Sequence, residues 1–303
     1  MEAGPCQTGR SLTCAAAAPH LSAMARIALY QANSGIDPEA NARALVAAVD
    51  EAAAGGAAIL FTPEMSGLLD RDRARAEAKL RAEAGDRVLA AVRSAAARRG
   101  IWVHLGSLAI RGENGGENAA RLHNRGYLID ARGDIRARYD KIHLFDVDLA
   151  TGESWRESAC YAPGARAVVA ESPAGRLGLS ICYDLRFPDL YRALTDAGAQ
   201  VLAIPAAFTV PTGRAHWHVL VRARAIEAGV FVVAAAQSGR HEDGRETFGH
   251  SLVVGPWGEI LLDMGEGVGV GFADIDLAEI ESVRARLPAL RHRRIIPPPE
   301  RVG

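Results

Sequence analysis

Apolar positions recur along this chain in two alternating rhythms. Short apolar runs bounded by glycine, proline or charge predict strands at Ile27–Ala32, Ala57–Phe61 and Ile101–Ala109. Helical spacing separates them: Pro38–Ala54, with Asp37 as N-cap, a charged stretch at about Arg71–Ala84, and Asp86–Arg99, ended by Gly100. A polar loop, RGENGGEN, then opens a hairpin, Arg121–Ile129 and Ile135–Tyr139, joined at Arg132-Gly133. Residues 140–165 are long and irregular, which in a compact domain points to function.

The second half repeats the alternation. Strands Ala167–Glu171 and Leu177–Ile181 precede helix Pro188–Ala197, strand Val201–Ile204, helix Ala215–Ala228 and strand Val230–Ala235. Strands His250–Val254, Glu259–Asp263 and Val268–Asp274 form a late meander, and helix Leu277–Arg286 closes the body. This pattern predicts one α/β domain over residues 24–290 with partly antiparallel, sandwich-like sheets. Residues 1–23 show no periodicity and are read as a mis-assigned start, with Met24 the initiator, or as a disordered extension. Residues 291–303 form a basic, proline-rich tail, assigned to a dimer interface.

Composition narrows the classes. At 303 residues and 49% hydrophobic the chain can bury a substantial core, and a formal net charge of −1 offers no field for nucleic acid or acidic membrane. No apolar run approaches the roughly 18–20 residues that span a bilayer. The tail lacks interleaved aromatics, so nucleic acid is not expected there either. Four cysteines, Cys6, Cys14, Cys160 and Cys182, form no disulfide ladder, which favours a reducing, cytoplasmic compartment. Of 35 basic residues only Lys79 and Lys141 are lysines. A lysine retained against that background suggests a need for a compact ammonium that arginine cannot imitate. Lys79 lies among charged residues and reads as part of a solvated helix face; Lys141 has no such context.

Three reactive residue types each follow a predicted strand: Glu64 in AILFTPEMS, Lys141 in IRARYDKIHLF and Cys182 in LGLSICYDLRFPDLYR. Strand ends are where open α/β folds place their sites. A thiol needs a base or a positive neighbour, and an acyl substrate needs oxyanion donors. Glu64 can serve as base if burial raises its pKa, Lys141 supplies the charge, and the backbone N–H of Tyr183 adds a second donor. A buried structural cysteine, or a Cys–His hydrolase drawing on one of nine histidines such as His216, His218 or His250, are the competing readings.

The blocks FTPEM, YDKIHLFDVD and SICYDLRFPDLYR, in that order, with AHWHVLVRARAIEAG and FGHSLVVGPWGEI behind them, resemble those of the nitrilase superfamily of carbon–nitrogen hydrolases. The resemblance runs from about Met24 to His292. It implies an αββα sandwich that pairs into an αββα–αββα dimer, a small-molecule amide substrate, and no metal or organic cofactor. Carried over, Glu64 is the general base, Lys141 the oxyanion stabiliser and Cys182 the nucleophile. A second glutamate holding the lysine falls on Glu157, with Glu153 as its competitor. IHLFDVD, CYDLRFP and TGRAHW look most like deaminated-glutathione amidases and omega-amidases; nitrilase and N-carbamoyl amidohydrolase chemistry, or an inactive binding protein, are the alternatives. Arg186 is then a candidate carboxylate clamp, against a structural ion pair with Asp184 or Asp189, and Thr212 and Arg214 are candidates for the pocket mouth. Glu227 reads as a buried partner for Arg222 or Arg224.

Overall fold

The computed structural model describes residues 24–112, 121–148, 152 and 154–302. The leader 1–23, most of the RGENGGEN loop and Glu153 lie outside the described residues.

The first half runs β1 (Met24–Gln31), α1 (Pro38–Ala54), β2 (Ile59–Phe61), α2 (Arg73–Glu77), α3 (Arg87–Arg99), β3 (Trp102–Arg111), β4 (Leu122–Ile129) and β5 (Ile135–Asp140). A small ribbon, β6 (Asp146–Asp148) and β7 (Ser154–Arg156), leads to β8 (Val168–Ser172), β9 (Gly175–Leu179), α4 (Pro188–Asp196), β10 (Val201–Ala203), α5 (Val210–Ala228) and β11 (Phe231–Ala234). A second ribbon, β12 (Ser238–Arg240) and β13 (Glu246–Phe248), precedes β14 (Leu252–Val254), β15 (Ile260–Asp263), β16 (Gly269–Asp276) and α6 (Ala278–Arg286).

Two six-stranded sheets result, ordered β16-β1-β2-β3-β4-β5 and β15-β14-β11-β10-β9-β8. The two-residue alternation of side chains sorts the strands between two cores. Ile27, Leu29, Ile59 and Phe61 face the second sheet, where they meet Leu177, Leu179 and Val201. Ala28, Leu60, Val103 and Leu105 face the other way, onto Leu45 and Val49 of α1 and Val88, Leu89 and Val92 of α3. On the far side Leu190 and Leu194 of α4 and Trp217 and Val221 of α5 cover the second sheet. The layers are helix, sheet, sheet, helix, as expected from sequence.

Local chemistry fixes the helix ends. Asp37 and Asp86 cap α1 and α3 by accepting from Glu39 and Leu89 N–H groups, and Gly100 ends α3 in the left-handed region at φ 65°. Three expectations are corrected. The charged stretch at 71–84 shrinks to the five-residue α2, none of whose residues is buried; Leu80, beyond its end, is the apolar anchor of the stretch. Helix α5 starts at Val210, five residues before the expected Ala215, since Pro211 is tolerated in a first turn. Lys79 is no solvated lysine: its ammonium donates to the Ile36 carbonyl at 2.6 Å. Beyond α6 the tail touches the body through Arg293 on Asp196, with Ile295 and Ile296 exposed in this single chain.

Candidate active site

Glu64 lies three residues past β2, Lys141 immediately follows β5, and Cys182 lies three residues past β9. The two sheets therefore aim three loops at one place. That approach is tight. A Cβ on Gly106 of β3 would sit 2.1 Å from the Thr62 carbonyl oxygen and 2.6 Å from that of Pro63, so only glycine lets β3 pass the loop bearing Glu64. Met65, next in the chain, takes φ 55° and donates its N–H to Ser107 Oγ at 2.9 Å. Gln237 adds a bond from its amide to the Glu64 carbonyl at 3.0 Å.

The loop bearing Cys182 is also strained. Cys182 has φ 48°, a left-handed conformation that costs a non-glycine residue about 1–3 kcal/mol and persists only where the surroundings over-determine it. Its N–H donates to Pro205 O at 2.9 Å. Asp184, fully buried, accepts from Ile181 N–H at 2.9 Å, Tyr139 O–H at 2.7 Å and His143 N–H at 3.0 Å, tying this loop to the lysine loop. From behind, the buried Arg224 guanidinium donates to Leu185 O at 2.7 and 3.1 Å and pairs with Glu227 at 2.8 Å. Glu227 thus has its expected Arg224 partner, but on the surface, with a side chain 45% exposed. The short 3-10 turn from Cys182 to Arg186 makes its first internal bond from the Asp184 N–H. The Tyr183 N–H precedes that bond, in the place where the first turn of a helix leaves its donors without an internal partner.

Lys141 is the centre of the polar network. Its ammonium lies 2.9 Å from Glu64 Oε1 and 2.9 Å from Glu157 Oε2, with a side chain only 2% exposed. Asn124 Nδ2 bridges the same two carboxylates, at 3.0 Å to Glu64 Oε1 and 3.0 Å to Glu157 Oε1. Glu157 also accepts the Phe145 N–H at 2.7 Å, and Glu64 Oε2 accepts the Ala207 N–H at 3.0 Å. Burial alone would disfavour the ammonium, but Glu157 and Glu64 outweigh it and hold the Lys141 pKa well above its ordinary value. The Cys182 thiol is pushed well above its usual range by burial and then by the Glu64 charge, with Lys141 acting in the opposite sense. Burial and the Glu64 charge thus both favour the protonated form of the thiol.

These groups line one cleft of about 790 Å³ that also receives Asn124, Phe145, Tyr183, Phe208 and Thr212. Arg186 lies on its wall, over the rings of Tyr183 at 6.0 Å and Phe208 at 5.7 Å, and reaches His216 Nδ1 at 3.3 Å. Neither Asp184 nor Asp189 pairs with it. Arg214, by contrast, is exposed on α5 and outside the cleft lining in this chain. The histidines of a Cys–His reading are engaged elsewhere: His216 with Arg186, His218 and His250 with Asp263. Sequence reasoning missed Asn124 and the contact of Arg224 with the Leu185 carbonyl. The one available signal for Asn124 was its place on the buried face of β4, two residues before Gly126.

The fold and this cleft define a class: the chain belongs to the carbon–nitrogen hydrolase family, whose model matches residues 26–285. It is a hydrolase acting on amide carbon–nitrogen bonds. A relative from Bos taurus, named deaminated glutathione amidase, is 39% identical over 280 residues, covering 92% of this chain and 85% of its own. The structure of the Caenorhabditis elegans NitFhit protein matches with a TM-score of 0.81 and 37% identity, over 90% of this chain and 66% of that longer one. An amidase from Nesterenkonia sp. AN1, with the acetamide moiety of fluoroacetamide covalently added to its active-site cysteine, matches with a TM-score of 0.73 and 29% identity over 92% and 97%. Among the described residues, no helix is long and apolar enough to cross a membrane.

Proposed function

We propose that this protein releases ammonia from a small carboxylate-bearing amide through a thioester on Cys182, and that deaminated glutathione is its favoured kind of substrate. The observation that carries the reading is the shared cleft, in which the Lys141 ammonium bridges Glu64 and Glu157 and which Cys182 also lines. Glu64 takes the thiol proton as Cys182 attacks the amide carbonyl. The oxyanion receives donors from the Lys141 ammonium and the Tyr183 N–H, and each such donor is worth about 3–4 kcal/mol in the transition state. Collapse returns the electron pair to the carbonyl and expels nitrogen, which takes the proton from Glu64 and leaves as ammonia. Water, deprotonated by Glu64, then attacks the thioester; the thiolate leaves and regains the proton, and the acid is released.

Glu157 does not touch the reacting atoms in this scheme. It positions Lys141 by occupying part of its donor set, while Asn124 keeps the two carboxylates in register. Arg186 takes the free carboxylate of the substrate, and Thr212 shapes the mouth. A homodimer belongs to the same proposal, supported by the exposed apolar Val219 and Ile226 of α5, and light scattering tests it.

Steady-state ammonia release across deaminated glutathione, α-ketoglutaramate, N-carbamoyl amino acids and simple nitriles tests the substrate. The proposal expects the first to give the highest kcat/KM. A preference for nitriles, or no release from any of them by folded protein, would overturn it. Lys141→Ala separates this mechanism from a Cys–His one: it should nearly abolish turnover here and matter little there.

A further inference from the structure

A second constellation of ligating side chains lies outside the cleft, built from three separate elements. His218 comes from the middle of α5, His250 from the turn before β14, and Asp263 from the end of β15. His218 Nε2 lies 3.0 Å from Asp263 Oδ2, and His250 Nδ1 lies 2.9 Å from Asp263 Oδ1. One ligand atom from each residue falls within 4.8 Å of the other two. None of the three lines the catalytic cleft. We propose that His218, His250 and Asp263 form a binding site for a divalent transition-metal ion such as Zn²⁺ or Co²⁺, separate from the hydrolytic machinery.

Ligand bonds of about 2.0–2.1 Å in a tetrahedral arrangement set neighbouring ligand atoms about 3.4 Å apart. Each histidine here lies against its own oxygen of Asp263, and one ligand atom from each of the three residues falls within 4.8 Å of the others. Binding one ion therefore requires the three side chains to turn until those atoms close on a common centre. Two imidazoles and one carboxylate suit a borderline ion of this type better than Ca²⁺ or Mg²⁺, which favour oxygen donors. Side chains 22–32% exposed leave solvent access to the cluster.

Two further features distinguish this cluster from surface groups that happen to meet. His250 is held at φ 55°, a strained conformation for a residue with a side chain, and both its backbone groups are pinned. Its N–H donates to Gly265 O at 2.6 Å and its carbonyl accepts the Trp217 indole N–H at 2.7 Å. Asp263 and His250 also have outer contacts. Gly265 N–H donates to Asp263 Oδ1 at 2.9 Å, and the Phe248 ring stacks on His250 with centroids 4.5 Å apart. Such outer contacts orient ligands and set the local dielectric. A bound ion would fasten α5 to the meander, and α5 carries Thr212 on the cleft wall.

Equilibrium dialysis of the untagged full chain against Co²⁺, read by metal content and visible absorption, tests the proposal. Wild type and Cys182→Ser should both saturate at one ion per chain, with ligand-field bands and no thiolate charge-transfer band. His218→Ala and the shape-preserving Asp263→Asn should each weaken binding at least tenfold, and the rise in Tm that Co²⁺ is expected to give wild type should vanish in both. Tm without metal establishes that the variants are folded. Absence of saturable binding to folded wild type, or binding that survives both variants and disappears in Cys182→Ser, would overturn it.

Discussion

Replacing Glu157 with glutamine keeps the shape of the side chain and removes its charge. Its Oε1 faces the Asn124 amide at 3.0 Å and the Lys141 ammonium at 3.2 Å; its Oε2 faces the same ammonium and the Phe145 N–H, at 2.9 and 2.7 Å. Whichever way the new amide turns, its NH₂ meets two donors. Glu64 still faces Lys141 at 2.9 Å, so the ammonium keeps one partner. The buried donors left without an acceptor cost about 1–3 kcal/mol, which for a chain of this size is a fall in Tm of roughly a few degrees. Turnover suffers separately, because an oxyanion donor out of place costs about 10²- to 10³-fold in kcat. The pH dependence has a definite sign. Burial lowers the Lys141 pKa, and Glu157 is the larger of the charges that raise it. Without Glu157 the ammonium loses its proton at lower pH, so the variant's kcat falls as pH rises through an alkaline range where wild type holds. Paired kcat–pH profiles and thermal melts provide the assay. A variant matching wild type in kcat, alkaline limb and Tm would refute the positioning role.

Other predictions follow from the same geometry. Gly106→Ala should lower Tm and kcat together, since the new Cβ would fall 2.1 Å from the Thr62 carbonyl oxygen and displace the Glu64 loop; a wild-type melt contradicts this. Arg186→Ala should raise KM about 10- to 100-fold for an amide bearing a carboxylate, from the roughly 1.5–3 kcal/mol of a charged hydrogen bond. It should leave an uncharged amide unaffected, and an equal effect on both would remove the clamp. Glu64→Gln removes a charge that raises the Cys182 pKa while Lys141 remains, so thiolate forms at lower pH. The pH profile of iodoacetamide alkylation should shift downward even as turnover is lost; an unchanged or upward midpoint would contradict it.

Much of this architecture was legible in the sequence, for physical reasons. Central strands such as β10 are buried on both faces and read as unbroken apolar runs, while Asp37, Asp86 and Gly100 mark helix ends with their own backbone chemistry. Long-range pairing was not legible. β1 lies beside β16, with Met24 opposite Asp276, and no local pattern encodes that register. The ribbon β12–β13 was missed because its strands are three residues long and largely polar. The start of α5 was hidden by Gly213, which is glycine because a Cβ there would meet the Phe248 ring at 2.2 Å. Within the cleft, residues with unusual chemistry stood out, whereas Asn124 looks like any polar strand residue until the fold brings two carboxylates to it.

The central claim is that the sulfur of Cys182 carries the acyl group. Intact-protein and peptide mass spectrometry on protein quenched during turnover of a carboxylate-bearing amide measures this directly. The account predicts an acyl mass increment confined to the Cys182 peptide, absent in Cys182→Ala, which should also be inactive. Unmodified Cys182 under turnover together with an active Cys182→Ala would contradict it.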